Sequence, residues 1–177
     1  MKRHVVGLKW AARLTGRPGC ISVGRARGIK ALGVRYEKAF EKWIGPGEAT
    51  RGVWFEFEDK NGHGYCQVDF LIRGEGEVFV LELKHTWNEG AHVELEKLYL
   101  PIVSLAMKAP AFGLVVAKRL TPESRRVKVV AGLEEGKAQA RSARRVVFHW
   151  LGGVPVRASR EVYRPHAVGL SGRVFLG

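Results

Sequence analysis

The chain has 177 residues, of which 46% are hydrophobic and 27% charged, which is the length of one ordinary domain and too apolar for a fully disordered chain. Thirty Lys and Arg against 17 Asp and Glu give a formal charge of +13, and the two cysteines, Cys20 and Cys66, are too few for a disulfide framework or a four-cysteine metal site. The charge is unevenly placed: residues 1–36 carry nine basic side chains and no acidic one, 37–116 eight basic and thirteen acidic, and 117–177 thirteen basic and four acidic.

Two basic flanks around an acidic middle point to a polyanionic partner, nucleic acid ahead of an anionic membrane. The acidic middle suggests a metal that bridges carboxylates to phosphate. The longest mostly apolar run, Leu98 to Met107, is about half a membrane span and contains Pro101 and Ser104. Lys9 and Arg13 interrupt any apolar stretch that could serve as a secretory signal. A reducing, cytoplasmic setting and no membrane association are therefore expected. There is no GxxxxGK[ST] and no HExxH, so neither a nucleotide cofactor nor zincin chemistry is expected.

In chain order, residues 1–28 read as a basic arm. Gly16-Arg17-Pro18-Gly19 and Gly24-Arg25-Ala26-Arg27-Gly28 repeat with neither a helix nor a strand period. Arg17, Arg25, Arg27, Lys30 and Arg35 are the candidate DNA contacts. From Ile29 to Ile44, Leu32, Tyr36, Phe40 and Trp43/Ile44 recur every three or four positions, one face of an amphipathic helix that Gly45-Pro46-Gly47 ends. Glu37 stands at the border of that stripe. Val53 to Glu58 alternates Phe55/Phe57 with Glu56/Glu58 and predicts a strand, followed by a turn at Asp59-Lys60-Asn61-Gly62. Two further β-rich runs, Tyr65–Ile72 and Val78–Lys84, flank Arg73-Gly74-Glu75-Gly76-Glu77 and predict a hairpin. A second helix is expected from Ala91 to Met107, with Leu95, Leu98, Ile102 and Leu105 on one stripe, divided or kinked by Pro101 and closed by Pro110. Phe112–Ala117 suits a buried strand. Thr121-Pro122-Glu123 resembles a helix start, 133–144 is helix-compatible, and 146–151 is strand-like.

The informative charges lie on the hairpin. Asp69 interrupts an apolar strand in Gln67-Val68-Asp69-Phe70-Leu71-Ile72, and Glu82 and Lys84 do so in Val80-Leu81-Glu82-Leu83-Lys84. Side chains alternate between faces, so Glu82 and Lys84 share one. Folding about Glu75 sets Asp69 opposite either Leu81 or Glu82, and the second register brings Asp69, Glu82 and Lys84 to one face. Burying these charges is costly unless they pair or coordinate a cation. A Lys84–Glu82 salt bridge in a purely structural hairpin is the plain alternative. Mg²⁺, a hard ion that takes carboxylate and carbonyl oxygens and keeps waters for a phosphate, satisfies the set better.

Asp69, Glu82-Leu83-Lys84 and a helical Glu37, on a helix–strand–strand–strand–helix–strand order, resemble the PD-(D/E)XK nuclease superfamily. The resemblance spans about residues 29–118, and the chain departs from the nominal motif in having Val68 where the proline would stand. It implies an α/β fold, an αβββαβ restriction-endonuclease-like core with a mixed central sheet flanked by helices. The chain would divide into a basic arm (1–28), a nuclease core (29–118) and a basic extension packed on that core (119–177). It further implies that Asp69, Glu82 and the Leu83 carbonyl hold Mg²⁺, for which Mn²⁺ would substitute. Lys84 would orient or help deprotonate the attacking water and stabilise charge on the phosphate, and Glu37 would hold a second metal or a water. A polar residue of the following helix, Glu94 or Lys97, is a further candidate. Within the superfamily the small basic members resemble Holliday-junction resolvases of archaea and phages. A homodimeric, structure-selective DNA endonuclease acting on branched DNA is therefore expected, in the host cytoplasm if phage-encoded. Sequence-specific or end-directed cutting, and DNA binding without catalysis, are the other readings.

Other residues invite plainer roles. His85, Glu89 and His92 have helical ligand spacing, but His85 falls at a strand end. His63 suits a turn and Cys66 a buried thiol. Trp54, Phe55, Phe57 and Tyr99 suit the core, and Trp10 and Trp87 are candidate contacts to DNA or a second subunit.

Overall fold

The computed structural model describes Gly7 and residues 12–21 and 27–152. Arg25, Trp10 and the tail beyond Gly152 lie outside them. The elements are β1 (Arg13–Thr15), α1 (Ile29–Ile44), β2 (Thr50–Asp59), β3 (Gly62–Arg73), β4 (Val78–Thr86), α2 (Glu89–Glu94), a π-helical turn (Leu95–Tyr99), α3 (Leu100–Met107), β5 (Ala111–Arg119), a 3₁₀ turn (Pro122–Arg126), β6 (Lys128–Val130), α4 (Leu133–Ser142) and β7 (Val146–His149). They build an α/β fold around one mixed seven-stranded sheet in the order β1-β2-β3-β4-β5-β7-β6. The strands β1 to β4 pair antiparallel, and β4, β5, β7 and β6 pair parallel.

Each face of the sheet carries its own apolar layer. On one, Phe55, Phe57, Val80 and Val115 pack against Leu95, Tyr99 and Ile102 of the π turn and α3. On the other, Phe70, Leu81, Leu114 and Phe148 pack against Tyr36 and Phe40 of α1 and Ala140 of α4. The helical period of α1 is what aims Tyr36 and Phe40 at the sheet. Phe40 is fully buried among Trp43, Phe70 and Trp150, with ring centroids 5.1–5.3 Å away. The Tyr36 hydroxyl donates to the Trp150 carbonyl at 2.8 Å and so ties α1 to the chain after β7. Leu32, expected on the buried stripe, is 45% exposed and belongs to neither apolar layer.

Several expectations change. Part of the basic arm is a strand, since Arg13–Thr15 pairs with Glu56, Phe55 and Trp54 at the sheet edge. Three residues are too few to show a period. Residues 119–152 continue the sheet through β6, α4 and β7. Phe112–Ala117 therefore lies inside a strand that has neighbours on both sides. The 91–107 helix is divided, but by a π turn whose last residue is two before Pro101. Trp87 is 4% exposed inside the core, where its indole N–H donates to His92 Nε2 at 3.3 Å, so no surface of it is offered to DNA or a partner. His63 is the second residue of β3, paired with Glu58, and faces Glu56 at 2.5 Å, in a strand and not a turn. Among the described residues no helix is long and apolar enough to cross a membrane.

Candidate active site

The site forms where two ladders are interrupted. The β3–β4 ladder runs from Arg73↔Val78 to Phe70↔Leu81 and stops, in the register that sets Asp69 opposite Glu82. One residue further along, the Asp69 side chain replaces the main chain as acceptor. Its Oδ2 takes the Leu83 N–H at 2.7 Å. On the other side of β3, Val53 pairs with Val68 and Arg51 with Phe70, and Gly52, between them, has φ 66°. That left-handed conformation is strained for a side chain and favours glycine, and a Cβ there would lie 2.8 Å from Gln67 Nε2, which would have to move. The alternation of faces slips at this step. Val68 belongs to the α3 side and Phe70 to the α1 side, although two residues along a strand ordinarily share a face. Asp69 thus sits at the crossover, with access to both α1 and α2.

From β4, Glu82 and Lys84 point to the face opposite Leu81 and Leu83. The Lys84 ammonium donates to Glu82 Oε1 and lies 4.0 Å from Glu94 Oε2 of α2. Glu94 Oε1 accepts from the Tyr99 hydroxyl at 2.8 Å. Glu82 is 3% exposed, and its second oxygen, Oε2, is buried with no hydrogen-bond partner among the described residues. The structure therefore brings together Asp69, Glu82, Lys84 and Glu94. Lys97 is exposed on the π turn.

The electrostatics follow from this crowding. Burial pushes the Asp69 carboxyl upward, with Glu37 and Glu94 adding to the effect and the Leu83 N–H and Lys84 opposing it. Burial also pushes Glu82 upward, and Asp69 raises it further. Burial works against the Lys84 ammonium, but Glu82, Asp69 and Glu94 outweigh it and hold its pKa above the ordinary value. Tyr99 is pushed up by burial and by the same carboxylates, which keeps its hydroxyl a donor. Asp69 and Glu82 therefore hold a proton more readily than free carboxyls do, and the Lys84 ammonium offsets part of the charge that remains.

Glu37 lies to one side. It shares a cavity of ≈ 540 Å³ with Glu41, Arg51, Gly52, Gln67 and Asp69. Arg51 bridges the two helix carboxylates at 3.0 Å each, so Glu37 meets the site with a guanidinium already on its Oε2. Sequence reasoning missed Arg51 and Gln67. The only local signal was their position beside Gly52 and Asp69, and the ion pairs from Arg51 to α1 that give the position meaning are long-range.

Among the described residues no three His, Cys, Asp or Glu side chains form a set that could hold a metal ion. A cation here would take two carboxylates, Asp69 and Glu82, and complete its shell from the main chain and water, the habit of Mg²⁺ and not of zinc. The orphaned Glu82 Oε2 fits that demand. His85, Glu89 and His92 do not converge: His85 is on β4, Glu89 is paired with Arg145, and His92 is buried against Trp87. Of the candidate DNA contacts, Arg27, Lys30 and Arg35 are exposed at and within α1, and exposed Arg17 donates to the Ile21 carbonyl at 2.8 Å. No family model matches the chain, and no curated protein matches it.

Proposed function

We propose that the chain is a Mg²⁺-dependent endonuclease of the PD-(D/E)XK kind, hydrolysing DNA phosphodiesters and selecting branched DNA by shape. The observation that carries the reading is the fork at Asp69: a carboxylate caps the Leu83 N–H where β3 and β4 part, beside a buried Glu82 with one oxygen unpartnered and Lys84 at its other oxygen. The helix–strand–strand–strand–helix–strand order from Ile29 to Arg119 supports it further.

In this reading Asp69, Glu82 and the Leu83 carbonyl hold Mg²⁺, which supplies a Lewis acid for the phosphodiester. Lys84 places its positive charge and donors where the phosphate acquires negative charge, and orients the attacking water. Glu37, with Arg51 across the cavity, takes a water or a second ion. The fork gathers these groups between two interior strands of the sheet, while exposed Arg and Lys at the start of α1 grip phosphates and read shape more than base sequence. Two copies acting on opposite strands would suit a four-way junction.

The test is incubation with a labelled four-way junction and a matched linear duplex, in Mg²⁺ or in EDTA. Paired symmetric nicks in the junction, absent in EDTA, are expected. Defined cuts in the duplex would replace the resolvase reading with a restriction-type one. Binding without cleavage, unchanged by Asp69→Asn, would make the fold a DNA-binding scaffold.

A further inference from the structure

Lys84 stands between two carboxylates. It donates to Glu82 Oε1 and lies 4.0 Å from Glu94 Oε2. Glu94 is itself held, 7% exposed, with its other oxygen on the Tyr99 hydroxyl at 2.8 Å. That hold depends on the winding of the chain between them. In an α-helix, residues i and i+5 point about 140° apart. Residues Leu95–Tyr99 instead form a π turn, whose wider winding brings i+5 back over i. Pro101 sits just beyond and has no N–H to give to the preceding turn, so regular α winding is already interrupted there.

Any cation taken by Glu82 competes with Lys84 for the same carboxylate, and an ammonium displaced inside a buried site must find another partner or oppose binding. We propose that Glu94, anchored by Tyr99 across the π turn, is a positioning residue that receives Lys84 when Glu82 turns to a divalent cation. The inference rests on the metal site proposed above and adds to it the residue that makes room. Glu94 is not a third ligand: one of its oxygens is occupied by Tyr99, and no three-carboxylate metal set exists among the described residues.

The test is calorimetric titration of the DNA-free, full-length protein with Ca²⁺, which takes the same oxygen ligands and gives a readout independent of cutting. Glu94→Gln keeps an acceptor for Tyr99 and should weaken Ca²⁺ binding about tenfold. Tyr99→Phe loosens the same link from its other end and should weaken it about threefold. In a Lys84→Met background Glu94→Gln should change nothing, because there is no ammonium to receive. Equal affinity in wild type and Glu94→Gln would overturn the inference, as would the same loss with and without Lys84. If the wild type binds Ca²⁺ no better than Asp69→Asn, the metal reading fails and this inference with it.

Discussion

At Asp69 a side chain does what a main-chain carbonyl does elsewhere in the sheet, and this single exchange lets β3 and β4 separate around a charged cluster. Asn at that position can still accept the Leu83 N–H but cannot supply a charge to a cation. Asp69→Asn and Lys84→Ala are therefore each expected to lower single-turnover cleavage by at least about 100-fold while leaving junction affinity nearly unchanged. Anisotropy titrations beside the cleavage assay check both halves, and cutting at the wild-type rate by either variant would remove these residues from the site. The alternation of acids with apolar residues made Asp69, Glu82 and Lys84 legible in the sequence. Arg51, Gln67 and the anchoring of Glu94 by Tyr99 were not, because each depends on packing between elements or on a π turn that no local pattern announces.

Among the elements, α1 is the one whose sequence speaks most plainly: the spacing of Tyr36 and Phe40 gives its buried face, and Gly45-Pro46-Gly47 its end. Phe40→Ala would open a cavity among three aromatic rings and should lower unfolding stability by about 3–5 kcal/mol in a denaturant titration. The short α2 yields a pH prediction. Burial depresses the His92 pKa to about 4, with Arg145 adding to the effect and Glu96 and Glu89 opposing it, and the ring accepts from the Trp87 indole. An unfolded histidine takes its proton near pH 6.5. Between those values the unfolded chain binds the proton that the folded chain refuses, so this contribution to stability is lost as pH falls from about 6.5 to about 4. His92→Gln retains an acceptor for Trp87 and should flatten that part of the melting-temperature profile relative to wild type. An identical slope in the two proteins would place the acid sensitivity elsewhere. The three-residue strands β1 and β6 escaped the sequence reading because so short a segment shows no alternation, and only the sheet it joins defines it.

On the scale of the whole molecule, residues 1–36 and 117–177 carry +9 each on either side of a stretch of −5, and that acidic stretch is where the carboxylate cluster is buried. Arg27, Lys30 and Arg35 are exposed near the start of α1. If they grip phosphates, replacing all three with Ala should reduce the slope of log affinity against log salt by about 0.9 for each phosphate no longer neutralised, with little change in which DNA shape is preferred. A salt slope equal to wild type would move the DNA surface to other residues. The proposed sharing of one divalent ion by Asp69 and Glu82, with Lys84 beside it, is narrower than DNA binding. Anomalous diffraction from crystals grown with Mn²⁺ tests this directly. A manganese peak held by the Asp69 and Glu82 carboxylates and lost in Asp69→Asn is expected; a well-ordered site with no peak there, and Lys84 still closed on Glu82, would rule the shared ion out.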